Sequence, residues 1–161
     1  MRRLSLLFFL SIFFICACKD IDADLIINNA EIYNGKGTKP YYSSIGIKDG
    51  LIIKIGANLQ CENCKTIDAN GMALSPGFID LHAHLEPLPL IPDAESALRM
   101  GVTTGLGGPD GSSPLKIGKY LDSLESLQMG INVAYLIGHN SIRLEVLQMD
   151  DRMPNELELK K

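Results

Sequence analysis

Ser75-Pro76-Gly77-Phe78-Ile79-Asp80-Leu81-His82-Ala83-His84-Leu85-Glu86 is the stretch on which the reading of the whole chain turns. In an extended strand alternate side chains share a face. Phe78, Asp80, His82, His84 and Glu86 are therefore expected on one side, and Ile79, Leu81, Ala83 and Leu85 on the other. One face is ionisable and the other apolar. Two imidazoles two residues apart can hold one metal ion, each through a neutral nitrogen about 2.0–2.1 Å from zinc. Asp80 or Glu86 would then be the acceptor that fixes an imidazole tautomer. A bare H-x-H pair is equally compatible with two satisfied core histidines.

Outward from this stretch the two flanks differ in pattern. On the carboxyl side strand and helix signals alternate, which argues for a parallel sheet with crossover connections. The first strand is expected over 77–85, a short helix over 93–100 stopped by Gly101, and a second strand over 102–106. Leu115, Tyr120, Leu121, Leu124 and Leu127 recur at helical spacing within 114–128, and a third strand follows at 132–137. The run 154–161 reads as the start of a further helix. On the amino side, short β-rich runs at 25–27, 31–33, 45–48, 51–55 and 66–68 are separated by Gly, Asn and Asp, and Asp49-Gly50 is a two-residue hairpin signal. A small antiparallel sheet is expected there. The organisation is thus 1–18 as a leader, 19–75 as a small sandwich-type β segment, and 76–161 as an α/β segment.

The leader is read from Arg2 and Arg3, which precede an apolar run over 4–15 that is shorter than the roughly 20 residues a spanning helix needs. Export fits better than a permanent span. Ile15-Cys16-Ala17-Cys18 has the layout of a lipobox, which would make Cys18 the lipidated amino terminus and the protein an exported, membrane-anchored lipoprotein. The bland alternative is an ordinary cysteine within a signal peptide. Cys61-Glu62-Asn63-Cys64 has the spacing of half a zinc ribbon, of a thiol redox motif, or of a loop closed by a local disulfide; the last suits an oxidising compartment. With 161 residues, 46% of them hydrophobic, and a net charge of -4, the chain can bury a core and has no basic footprint for nucleic acid.

S-P-G-F-I-D-L-H-A-H behind a small β segment resembles the start of the catalytic (β/α)8, or TIM, barrel of the amidohydrolase superfamily. Gly101-Val102-Thr103-Thr104, the run from Val133 to Arg143, and Met149-Asp150-Asp151-Arg152-Met153-Pro154 further resemble the N-acyl-D-amino-acid deacylases, or D-aminoacylases. The resemblance implies that His82 and His84 are ligands of a divalent metal, zinc above all, that activates water against the amide of a small N-acyl amino acid. In the deacylases G-V-T-T is followed by G-N-C-G, whose cysteine is a metal ligand. Asp110, in Gly107-Gly108-Pro109-Asp110-Gly111-Ser112, takes that place, either as a harder ligand or as part of a turn.

His139, just past the third strand, is expected to contact substrate or support a ligand. Arg143 is either a fork for a substrate carboxylate or a structural group. A closed barrel of this type takes about 250 residues. The expectation is therefore an incomplete barrel, its general base and later ligands without counterpart, and its activity alone in question. Such a chain is an inactive portion of an amidohydrolase, half of a split enzyme with a complementing chain, or a non-enzymatic lipoprotein. A cyclic-amide hydrolase of the dihydroorotase or hydantoinase kind is the alternative enzyme.

Overall fold

The computed structural model describes residues 20–161, so the leader and Cys18 lie outside the described residues. The chain divides after Pro76 into two compact units, the first built of strands and the second of strands and helices.

The first unit is built on β1 (Leu25–Ile32), β2 (Tyr41–Lys48), β3 (Leu51–Gly56), β4 (Lys65–Asp68) and β5 (Ala73–Leu74). Asp49 and Gly50 both take positive φ, 50° and 74°, and close the β2–β3 hairpin as their residue types predict. The expected antiparallel sheet is corrected to a mixed one. β1 pairs antiparallel with β2 on one side and parallel with both β4 and β5 on the other. Residues 57–64 carry the chain from edge strand β3 to the far side of β1, and a connection of that length carries no local signal of strand direction.

The five strands form a single sheet, and no second layer of a sandwich is present among the described residues. The two runs expected at 25–27 and 31–33 are one strand with an irregularity between Ile27 and Ala30, where Asn29 adopts φ 55° and donates its side-chain amide to Asp68. That kink lets β4 and β5 follow one another along β1.

Two apolar clusters hold this unit. Ala30, Ile32, Ile45 and Ala69 form one, and Ala23, Ile26 and Leu59 form the other, joined by Ile21 and the Cys61–Cys64 disulfide. The local disulfide is thus the reading of the Cys-x-x-Cys pair that the structure adopts.

The second unit is a three-stranded parallel sheet in the order β6 (Phe78–Asp80), β7 (Val102–Gly107), β8 (Asn132–Tyr135). α1 (Glu95–Arg99) connects the first two strands and packs on β7; α2 (Ile117–Glu125) connects the next two and packs on β8. Gly101, at φ 79°, ends the α1 segment as expected. α2 is shorter than the periodic run that predicts it, because Ser123 and Ser126 turn their hydroxyls onto the carbonyls of Tyr120 and Ser123 and Gln128 takes φ 52°. Leu85, Leu88, Ala94 and Ile131 form the core, with Ala83, Ala97, Val133 and Tyr135 around it. Among the described residues no helix is long and apolar enough to cross a membrane.

α3 (His139–Leu147) follows β8, and the run expected to start another helix makes only a 3-10 turn over Glu158–Lys160. Charged groups organise this tail. Arg143 donates to the carbonyls of Asp150 at 2.8 Å and Arg152 at 3.3 Å. Arg152 makes a two-toothed contact with Glu158 at 2.7 and 2.8 Å, and Glu158 also accepts the Asn155 N–H. The Arg152 guanidinium and that N–H hold the Glu158 carboxyl down at about 2.

Two outcomes are expected. Ile26 is 1% exposed, and Ile26→Ala should cost about 2–5 kcal/mol in denaturant unfolding of the first unit, since a buried side chain is replaced by a cavity. Because the folded pKa of Glu158 is depressed, its contribution is complete above the unfolded value of about 4.3 and lost as pH falls toward about 2. Carboxyl NMR titration should show that low midpoint, and Arg152→Ala should return it to the ordinary range.

Candidate metal centre

Because β6, β7 and β8 run parallel, their carboxyl ends lie at the same edge of the sheet. Each is followed by a singled-out group: His82 and His84 after Asp80, Asp110 after Gly107, and His139 after Tyr135. β6 stops at Asp80 instead of running to residue 85 as the alternation predicts. The Asp80 carboxylate accepts the His82 N–H at 3.0 Å, a short side-chain turn that competes with the strand ladder. Pairing resumes one residue later, where the Ala83 N–H donates to the Leu106 carbonyl at 3.0 Å.

Ala83 and Leu85 turn into the core while His82, His84 and Glu86 stay exposed, so the alternation of sides outlasts the strand itself. On the opposite side the expected apolar packing is incomplete. Ile79 and Leu81 are 63% and 67% exposed among the described residues.

One ligating atom each from His82, His84 and Asp110 falls within 4.8 Å of the other two. The Asp110 carboxylate is 3.8 Å from His84 Nδ1 and that of Glu86 is 3.7 Å from the same nitrogen. In a tetrahedral zinc site, bonds of about 2.1 Å put neighbouring ligand atoms about 3.4 Å apart, so the group must close by about 1.4 Å. Side-chain rotation can supply that, since all three residues are exposed. Two imidazoles and a carboxylate are also donors of the right chemistry for zinc, and the residues fit a divalent metal. Glu86 and Asp110 both lie beside His84 Nδ1, each just beyond hydrogen-bond distance of it. Asp80 instead uses an oxygen on the His82 backbone.

The loop that carries Asp110 is fastened at both of its ends. Gly108, at φ 89°, lies too close to the Leu136 carbonyl to admit a side chain, and Gly111, at φ 97°, lies against the Asn140 amide. The Gly111 carbonyl accepts the N–H groups of Asn140 and Ser141 at 2.9 and 3.2 Å. Ser113 donates its N–H to Ser141 Oγ at 2.9 Å and accepts the Gly138 N–H on its own Oγ at 2.7 Å. Donors at the start of α3 that have no partner inside the helix are thus satisfied by the Asp110 loop. Sequence reasoning treated this run as a turn or a ligand and missed its second partner; the signal was the spacing of Gly108 and Gly111 around Asp110.

His139 is not in a loop but is the first residue of α3, exposed and outside the three-residue group. Arg143 lies in α3 with its guanidinium on two backbone carbonyls, which makes it a structural group in this fold. Tyr135, not singled out from sequence, closes the end of β8. Its ring meets Tyr120 edge-on at 5.4 Å and covers Gly107. Burial, then the neighbouring Tyr120, pushes its phenol up beyond the ordinary tyrosine range, so it stays a neutral hydroxyl.

No family model matches the chain. An uncharacterised protein of Mycobacterium tuberculosis is 28% identical to it, over 86% of this chain and 29% of that protein. N-acyl-D-aspartate deacylase of Alcaligenes xylosoxydans xylosoxydans is 26% identical, over 84% of this chain and 32% of the enzyme. The crystal structure of N-acyl-D-glutamate deacylase from Bordetella bronchiseptica, complexed with zinc and a phosphonate mimic of the tetrahedral intermediate, matches with a TM-score of 0.75. It is 26% identical, over 86% of this chain and 34% of that one. The chain spans about a third of the length of the relatives it matches. Over most of its own length it is similar, in sequence and in fold, to N-acyl-D-amino-acid deacylases.

Proposed function

We propose that this chain contributes the first part of a metal-dependent hydrolase for carbon–nitrogen bonds, acting on a small N-acyl amino acid or a related amide. In this reading β6, β7 and β8 are the first three strands of a (β/α) barrel, and His82, His84 and Asp110 hold a divalent metal, zinc above all. The convergence of those three side chains at the carboxyl edge of a parallel sheet carries the reading. The zinc in the B. bronchiseptica deacylase, whose fold this chain shares over 86% of its length, supports it.

When bound, the metal supplies Lewis acidity toward the amide carbonyl and lowers the pKa of water beside it. The chain's own residues do the positioning. Glu86 lies beside His84 Nδ1, the Gly111–Asn140 and Ser113–Gly138 bonds hold the Asp110 loop, and His139 stands at the same edge of the sheet for contact with substrate. Neither a general base nor ligands beyond these three are assigned. They would come from whatever packs on the open sides of the sheet, be it further residues of a longer protein or a complementing chain. The lipobox-like run Ile15-Cys16-Ala17-Cys18 supports lipidation of Cys18, which would hold an exported protein at the cell envelope.

The test is metal content after purification of the full chain from a bacterial host. Wild type should retain zinc, while His82→Ala, His84→Ala and Asp110→Ala should each weaken its affinity by at least the 10–100-fold typical of losing even an outer-sphere partner. Asp110→Cys should retain zinc, because it restores the deacylase type of ligand. If zinc binding is the same in all four variants as in wild type, Asp110 is only a turn residue and the metal site is wrong. Hydrolysis of N-acetyl-D-glutamate or N-acetyl-D-aspartate, assayed with and without a co-expressed complementing chain, then measures whether activity requires the partner.

A further inference from the structure

The described chain is fixed to the body of the first unit from its second residue onward. The Ile21 N–H donates to the Gln60 carbonyl at 2.8 Å, and its side chain packs beside the Cys61–Cys64 disulfide on the cluster of Ala23, Ile26 and Leu59. Asp22 pairs with Lys48. Asp24 donates its N–H to the Ile47 carbonyl at 2.8 Å, accepts the Lys65 N–H on its carbonyl at 2.9 Å, and accepts the Asp49 N–H on its carboxylate at 2.7 Å. Residues 21–24 are therefore part of the folded unit and cannot serve as a flexible stalk.

Only Lys19 and Asp20 separate Cys18 from Ile21. Three steps of fully extended chain reach about 11 Å at most. We infer that the end of the first unit formed by Ile21–Asp24 and the Cys61–Cys64 loop is its membrane-facing end, with Ile21 held within about 11 Å of the acylated cysteine. This rests on the lipid-anchor reading of Cys18. The charges at this end show that electrostatic adhesion is not what holds it there. Asp20, Asp22, Asp24, Asp49 and Glu62 outnumber Lys19, Lys48 and Lys65, so an anionic lipid surface gains nothing from the contact. The short tether alone imposes the orientation.

The opposite end of the strands, where Ile32 meets Tyr41, is seven residues along β1 from Leu25, or about 23 Å. The chain has no tryptophan, so a single introduced one reports its own position. Glu62→Trp, at the proposed membrane end, and Lys39→Trp, at the far end, are to be made in the full chain. Each is purified from a bacterial host and reconstituted into phosphatidylcholine vesicles that carry a nitroxide on the headgroup. Quenching at Glu62→Trp should exceed that at Lys39→Trp severalfold. Ten Gly and Ser residues inserted between Lys19 and Asp20 should bring the two close together, because such a linker spans about 18 Å on average.

Equal quenching in the acylated protein, or a difference untouched by the insertion, would overturn the proposal while leaving the anchor intact. Labelled palmitate that enters neither wild type nor the variants would remove the lipid-anchor reading and the proposal together. Incorporation that is abolished by Cys18→Ser, with the expected quenching pattern, supports both.

Discussion

The hydrogen bond from the Ala83 N–H to the Leu106 carbonyl, at 3.0 Å, is the contact on which the candidate site depends. It continues the β6–β7 pairing after Asp80 has bent the chain, and it does so at the residue between the two histidines. His82 and His84 are thereby held level with Leu106, near the end of β7 and four residues before Asp110. Without it they would be side chains on a free loop, and ordering them would cost about 1–2 kcal/mol per residue in backbone entropy alone. The apolar anchors are on the same segment. Ala83 and Leu85 are drawn into the cluster of Leu88, Ala94 and Ile131, which leaves the intervening histidines nowhere to point but outward.

The third group is set by a different device. A loop that leaves a strand and carries an acid would ordinarily be mobile, but here its carbonyl and hydroxyl groups serve as partners for the first N–H groups of α3. Helix start and Asp110 loop therefore stabilise one another. The glycines follow from that docking: Gly108 lets β7 and β8 approach past the Leu136 carbonyl, and Gly111 adopts a positive φ that points its carbonyl at the helix. A side chain at either position would strain the approach before any ligand chemistry was affected.

Most of what was legible in the sequence was periodic or local. Strand and helix alternation after Pro76, the Asp49-Gly50 turn, and the stop at Gly101 all depend on residues within a few positions of one another, and the structure contains them. Strand direction in the first unit was not legible, since β4 and β5 reach β1 through a connection that has no preferred turn chemistry. The end of β6 was hidden for a subtler reason. Alternation of polar and apolar residues reports which side a residue faces, and it persists through residues 81–86 although the ladder has stopped at Asp80. Arg143 shows the limit of residue type: a guanidinium suits a carboxylate ligand, yet here it serves two carbonyls of its own tail.

What the site can do is governed by how wet it is. The side chains of His84 and Glu86 are 69% and 59% exposed and that of Asp110 is 34% exposed. In such surroundings a charge interaction is worth roughly a quarter or less of its value at a site of intermediate dielectric, so preorganised donors aimed at a developing oxyanion would gain little over water itself. Metal retention and catalysis therefore make different demands. Holding an ion asks only for donors that can close on it, whereas polarising an amide also requires walls that exclude solvent and fix the substrate. β6 and β8 are the outer strands of their sheet, and Phe78, Ile79, Leu136 and Ile137 leave apolar side chains on or just beyond them. The same surface that leaves the candidate site open is thus suited to receive further strands and helices, and the walls that would dry the site are expected from whatever packs there.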